Sequence, residues 1–139
     1  MPMAKKPTAT LLHHSRDLRP EDVLIFIELH GFTKDLERLE LDDDDLHALQ
    51  VLIMVSPAGA PVLQGTGGLR KMRFAPARWK TGKSGAARVC YVYLEEWKTI
   101  PLVTIYSKDE QDDMPHQHRA AYRKLIQRIR DQYAQRTIR

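Results

Sequence analysis

The stretch Gly65-Thr66-Gly67-Gly68-Leu69-Arg70-Lys71-Met72-Arg73-Phe74 decides how this chain is read. Its glycines mark a loop, because clustered glycines punctuate periodic structure. After Leu69 the pattern alternates. Successive side chains of a strand point to opposite faces, so Met72 and Phe74 project one way and Lys71 and Arg73 the other. A strand with one apolar face and one cationic face belongs to a sheet that is packed on one side and meets something anionic on the other.

Working outward, two more strands follow. Ala86–Glu95 places Val89, Tyr91 and Tyr93 on one side, with Arg88 near its start, and Ile100–Lys108 carries Tyr106 and Lys108 on one face near its end. The link Ala75–Gly85 holds Arg78, Lys80 and Lys83, and the link Glu96–Thr99 has hairpin length. Upstream, the β-branched and aromatic run Val23–Ile27 reads as a buried strand ended by Gly31. Phe32, Leu36 and Leu39 recur at helical spacing, giving a short amphipathic helix. The acidic run Asp42–Asp45 is a second helix start: Asp42 caps it, Asp45 stands three residues on, and the negative charges suit the positive helix end. Leu46, Leu49, Leu52 and Ile53 form its apolar face, and Ser56-Pro57 stops it. Downstream, Asp113 and Pro115 open a last helix with the stripe Tyr122, Leu125, Ile126, Ile129 and Tyr133. The order β-α-α-β-β-β-α predicts an α+β domain, a small and mostly antiparallel sheet with helices packed on one face. Residues 1–22 mix prolines and charges without a period and read as a poorly ordered N-terminal extension, leaving 23–139 as one domain.

Charge sharpens the picture. The chain has 139 residues and a net charge of +4, but residues 1–60 hold six Lys/Arg against eleven Asp/Glu, while residues 61–139 hold sixteen against seven. Between Gly65 and Leu94 there are seven basic residues and no acid. A one-sided positive field of this kind selects a polyanionic partner, nucleic acid or an acidic protein. The single cysteine, Cys90, excludes an internal disulfide and a Cys-based zinc site and suits a reducing cytoplasm. The run Val23–Ile27 is five residues long, far short of the ~20 that a membrane helix needs, and no apolar stretch follows Lys5-Lys6 as a secretory signal requires.

Three motifs are decoys. Ala77–Ser84 ends in Gly-Lys-Ser, but Ala77 replaces the first glycine of a phosphate loop and the segment leads into a strand where that motif needs a helix. His116 and His118 are two apart and share no helical face. Cys90 alternates with Val89 and Tyr91 as a small buried filler. What remains is the strand-borne cluster. If helices cover the Met72 and Phe74 side, then Lys71, Arg73, Arg88, Tyr106 and Lys108 converge on the uncovered sheet face, where cations repel unless an anion sits among them. The alternatives are a solvated sheet face with its basic chains spread apart, and a cradle for a phosphate backbone whose cations stabilise charge developing on phosphorus.

The segments Gly65–Phe74, Gly82-Lys83-Ser84-Gly85-Ala86-Ala87-Arg88-Val89 and Tyr106-Ser107-Lys108-Asp109-Glu110-Gln111-Asp112-Asp113 resemble the RelE/HigB toxins of bacterial toxin–antitoxin modules. The resemblance runs from about Val23 to Tyr133. It implies a RelE-like fold and a ribosome-dependent messenger RNA endoribonuclease that works without metal or other cofactor: the ribose 2′-hydroxyl attacks the adjacent phosphate, leaving a cyclic phosphate and a free 5′-hydroxyl. By the same resemblance Lys71, Arg73, Arg88 and Lys108 are the catalytic cations. Arg70, Arg78, Lys80, Lys83 and Tyr106 hold RNA. The partners it implies are messenger RNA at the ribosomal decoding site and a cognate antitoxin of helix-turn-helix type, in the cytoplasm and away from membranes. The chain departs from the family pattern at Asp109, where a second basic residue often follows the position of Lys108, and it has no histidine between His47 and His116. Two other readings share the architecture: a ParE-like inhibitor of DNA gyrase, and an RNA-binding module without catalysis.

Overall fold

Asp42 and Asp45 close a reciprocal pair of hydrogen bonds. Asp42 Oδ1 accepts the Asp45 N–H at 2.9 Å and Asp45 Oδ2 accepts the Asp42 N–H at 2.9 Å. Two otherwise orphaned donors of a helix start are thereby satisfied. In the computed structural model, which describes residues 20–79, 85–108 and 116–138, this box opens helix α2 (Asp43–Val55), which follows strand β1 (Ile25–Glu28) and helix α1 (His30–Arg38). Then come β2 (Leu69–Phe74), β3 (Ala87–Val92), β4 (Thr99–Ser107) and helix α3 (His116–Ile138). The class and element order are those expected. Gly31 falls inside α1 instead of ending the strand before it. The link between β3 and β4 is a 3₁₀ turn, Glu95–Trp97, closed by Lys98 in the left-handed region. Asp113 and Pro115 lie outside the described residues, as do residues 1–19 of the expected extension; Pro20–Asp22 form a 3₁₀ turn whose Glu21 carbonyl accepts a bond from Lys98 Nζ at 3.3 Å.

The strands lie in the order β1-β4-β3-β2. β2, β3 and β4 form an antiparallel meander and β1 joins β4 in parallel, so the sheet is mixed. The outer edge of β2 is closed by the preceding loop: Leu63 N–H donates to Leu69 C=O at 2.8 Å, and Lys71 N–H to Pro61 C=O at 3.1 Å. In β4 the register skips Val103, since Cys90 pairs with Thr104 and Tyr91 with Leu102. This bulge lets Val103 and Thr104 both serve the same side of the sheet.

Two cores result, one on each face. Phe32, Leu46, Leu49, Ile53 and Met54 of α1 and α2 pack on Phe74, Val89, Tyr91, Ile100, Leu102 and Ile105. On the other face α3 brings Ile126, with Tyr122, Ile129 and Tyr133, against Leu69, Cys90, Val92, Val103 and Tyr106. Sequence reading stacks every helix on one face; α3 takes the opposite one. The physical reason lies in β3, whose six residues are all buried. A strand buried on both sides needs cover on both sides. Among the described residues no helix is long and apolar enough to cross a membrane.

Candidate functional site

The strand register turns scattered cations into a row. Arg73 of β2 is the direct partner of Arg88 of β3, and Arg88 is the direct partner of Tyr106 of β4. Direct partners share a face, so the three side chains stand side by side across three strands. Lys71, two residues along β2, shares that face and is in line with Cys90 and Thr104. Partners in an antiparallel pair have Cα atoms ~4.5–5.5 Å apart, and like charges placed so are destabilising.

The members of the row differ in environment. Arg88 is only 7% exposed and Tyr106 only 5%, whereas Arg73 is exposed and Lys71 half-buried. The Arg88 guanidinium donates to the Ala86 carbonyl at 2.6 Å. Among the described residues its partner is a main-chain carbonyl and not a carboxylate. A buried cation satisfied only in part is expensive to hold, and an incoming anion relieves it. Lys108 is exposed in the turn just after β4, at the sheet end where β2 finishes and β3 begins. Arg73, Arg88, Tyr106 and Lys108 are therefore gathered at one end of the sheet.

The face that carries the row is the one α3 packs on, not an uncovered one. α3 is anchored toward the far end of β2, where Arg130 Nη2 reaches the Gly67 carbonyl at 3.5 Å and Arg119 Nη1 the Gln64 carbonyl at 3.3 Å. The glycine run has a local task here. Gly65, Gly67 and Gly68 all have positive φ, and a Cβ on Gly68 would stand 2.7 Å from Arg130 Nη2. Within the helix, burial pushes the Tyr122 phenol up from its ordinary pKa, opposed by its hydrogen bond with Thr104.

Other expected site residues are placed apart. Arg70 lies on the α1/α2 side of the sheet, where its Nη1 donates to the Ala58 and Ala60 carbonyls at 3.0 and 2.7 Å and pins the loop ahead of β2. Arg78 sits on the 3₁₀ turn Ala77–Trp79 that leaves β2 at the row's end of the sheet. Its side chain, Lys80 and Lys83 lie outside the described residues. Sequence reading missed Asp35 and Arg38, which α1 brings to the edge of β4 beside Ile105. An i,i+3 acid–base pair on a helix looks like ordinary surface charge, and nothing in the local sequence ties it to a strand some 70 residues away.

No family model matches the chain. Among solved structures it is similar to a mutant form of the E. coli toxin RelE in the free state. The two are 15% identical, with a TM-score of 0.45, over 64% of this chain and 87% of that one.

Proposed function

We propose that this protein is an RNA-cleaving toxin: a ribosome-dependent messenger RNA endoribonuclease, held inactive by a cognate antitoxin, whose domain is residues 23–139. The observation that carries the reading is the in-register row Arg73–Arg88–Tyr106 with Lys71 beside it. The motif resemblance of Gly65–Phe74, Gly82–Val89 and Tyr106–Asp113 supports it. In this reading one phosphate of the messenger binds against Arg73 and Arg88. The 2′-oxygen of the preceding ribose forms a bond to phosphorus, the bond to the 5′-oxygen breaks, and the proton lost from the 2′-hydroxyl is balanced by one gained at the leaving oxygen. The extra negative charge on phosphorus is met by two guanidinium groups aimed in advance. Lys71 and Lys108 hold flanking backbone, and the two lysines and the Tyr106 hydroxyl are the groups of the cluster chemically able to pass a proton. The ribosome supplies the remaining orientation.

Expression in a growing cell with mapping of new 5′ ends on translated messages tests this. New 5′-hydroxyl ends that appear only on translated RNA support it. Normal growth with no new ends counts decisively against it, and inhibition of supercoiling by gyrase in place of RNA cleavage would establish the ParE-like alternative.

A further inference from the structure

The outer edge of β4 carries a hydrogen-bonded device next to the cationic row. β1 pairs with β4 only over Thr99–Leu102, so among the described residues the second half of β4 has no strand on that side. Helix α1 fills the gap with side chains. Asp35 Oδ2 accepts the Ile105 N–H at 3.0 Å and the Thr104 hydroxyl at 2.8 Å. Arg38 Nη2 donates to the Ile105 carbonyl at 3.3 Å, and its Nη1 to Asp35 Oδ1 at 2.6 Å. The pair thus imitates the carbonyl and N–H of a neighbouring strand at Ile105, as an exposed sheet edge requires.

The same bonds hold the Arg38 guanidinium at a defined place. Ile105 precedes Tyr106, which stands in line with Arg88 and Arg73. Strands lie ~4.8 Å apart, so the line from Arg73 through Arg88 and Tyr106 to Arg38 runs about 15 Å across the molecule. That is too long for one phosphate and suits a chain of them. The Arg38 side chain is 48% exposed, so solute anions reach it, while Asp35, at 15%, is mostly covered. A guanidinium braced by a carboxylate and a carbonyl has lost rotamer freedom before any ligand arrives.

We propose that Arg38 binds a second backbone phosphate of the RNA, neighbouring the one held by Arg73 and Arg88, and that Asp35 is the positioning residue that aims it. This rests on the RNA-cleaving reading above, and it names how far along the strand the site extends.

The test is a titration of the full chain with a fluorescent single-stranded RNA oligonucleotide over a range of salt, joined to cleavage kinetics on translating ribosomes. The R38Q variant is expected to bind about ten-fold more weakly, and its slope of log affinity against log salt falls by about 0.7, the value of one phosphate contact to a single strand. R38K keeps the slope. D35N removes a carboxylate beside the phosphate as well as the brace, so it is read as a cycle: R38Q is expected to cost about ten-fold in the wild type and about three-fold in the D35N background. On ribosomes R38Q raises KM more than it lowers kcat, the reverse of R88A. An R38Q variant with wild-type affinity and slope overturns the proposal, as does an R38Q loss as large in the D35N background as in the wild type, and R38M gives the same reading where R38Q fails to fold. A wild-type protein that binds RNA without cutting it removes the catalytic reading and leaves the Arg38 slope as the arbiter. A wild-type protein that does not bind the free oligonucleotide overturns the Arg38 proposal, while the RNA-cleaving reading stands or falls on the mapped 5′ ends.

Discussion

Arg73 and Arg88 face each other as direct partners on adjacent antiparallel strands, with Arg88 buried to within 7% of full coverage. Folding gains nothing from placing two arginines at directly paired positions, one of them buried. Removing the charge at Arg88 while keeping its volume is therefore expected to change stability by no more than about 1 kcal/mol, since an apolar replacement ends the repulsion and the desolvation cost but leaves the Ala86 carbonyl without this donor. Arg88→Met is the variant, urea unfolding the measurement, and messenger cleavage the companion assay, in which a loss of about 100-fold or more is expected. A variant that keeps full toxicity, or that loses several kcal/mol, would contradict the assignment.

At the edge of β4 the Ile105 N–H has a single carboxylate as its acceptor. Asp35 accepts three hydrogen bonds, from Ile105 N–H, the Thr104 hydroxyl and Arg38. Asp35→Ala leaves the Ile105 N–H without its partner, and the cost is about 1–3 kcal/mol. Hydrogen exchange at the Ile105 amide is expected to accelerate more than exchange at Val89, its cross-strand partner. Equal acceleration at both would mean a general loss of stability and no special role at the edge.

Gly68 is fixed by its φ of +125°, whereas the Arg130 guanidinium, which a Cβ would meet at 2.7 Å, is the end of a flexible side chain that can move aside. Gly68→Ala is expected to cost about 1–3 kcal/mol. Combining it with Arg130→Ala is expected to give losses that simply add, and a double variant that recovers part of the loss would show that the arginine presses on the loop.

Glu28 gives the fold a pH dependence of defined sign. Burial raises its pKa above the ordinary value of 4.5, the Thr33 hydrogen bond lowers it, and Asp43 raises it a little. A carboxyl whose folded pKa is raised favours folding while protonated. Its contribution is fully present below 4.5 and is lost as pH rises through the folded value. Glu28→Gln keeps the acceptor for Thr33, which donates at 2.8 Å, and removes the charge. The variant is expected to exceed the wild type in thermal midpoint at neutral pH and to converge with it in acid. A difference that does not change with pH would refute the assignment.

Much of this molecule is legible locally. The capping box at Asp42–Asp45, the alternation in Leu69–Phe74 and the apolar stripe Tyr122–Tyr133 are each readable within a few residues, because capping, pleat and helical period are short-range rules. The class and the order of elements follow from them. The apolar run Val89–Val92 of β3 is itself the sign of a sheet covered on both faces, because a strand with two apolar sides does not follow the one-sided alternation of a half-exposed strand.

The sequence by itself determined which segments become strands and helices, and that Lys71 and Arg73 share a face. Only the tertiary structure decided which strands lie side by side, and so that Arg73, Arg88 and Tyr106 form one row, that Arg70 turns away to hold the loop at Ala58 and Ala60, and that Asp35 and Arg38 close the edge at Ile105. The reason is physical. Local geometry orients a side chain relative to its own backbone, whereas register between strands is chosen by the burial of whole faces at once, and a bulge such as that at Val103 reassigns faces beyond it.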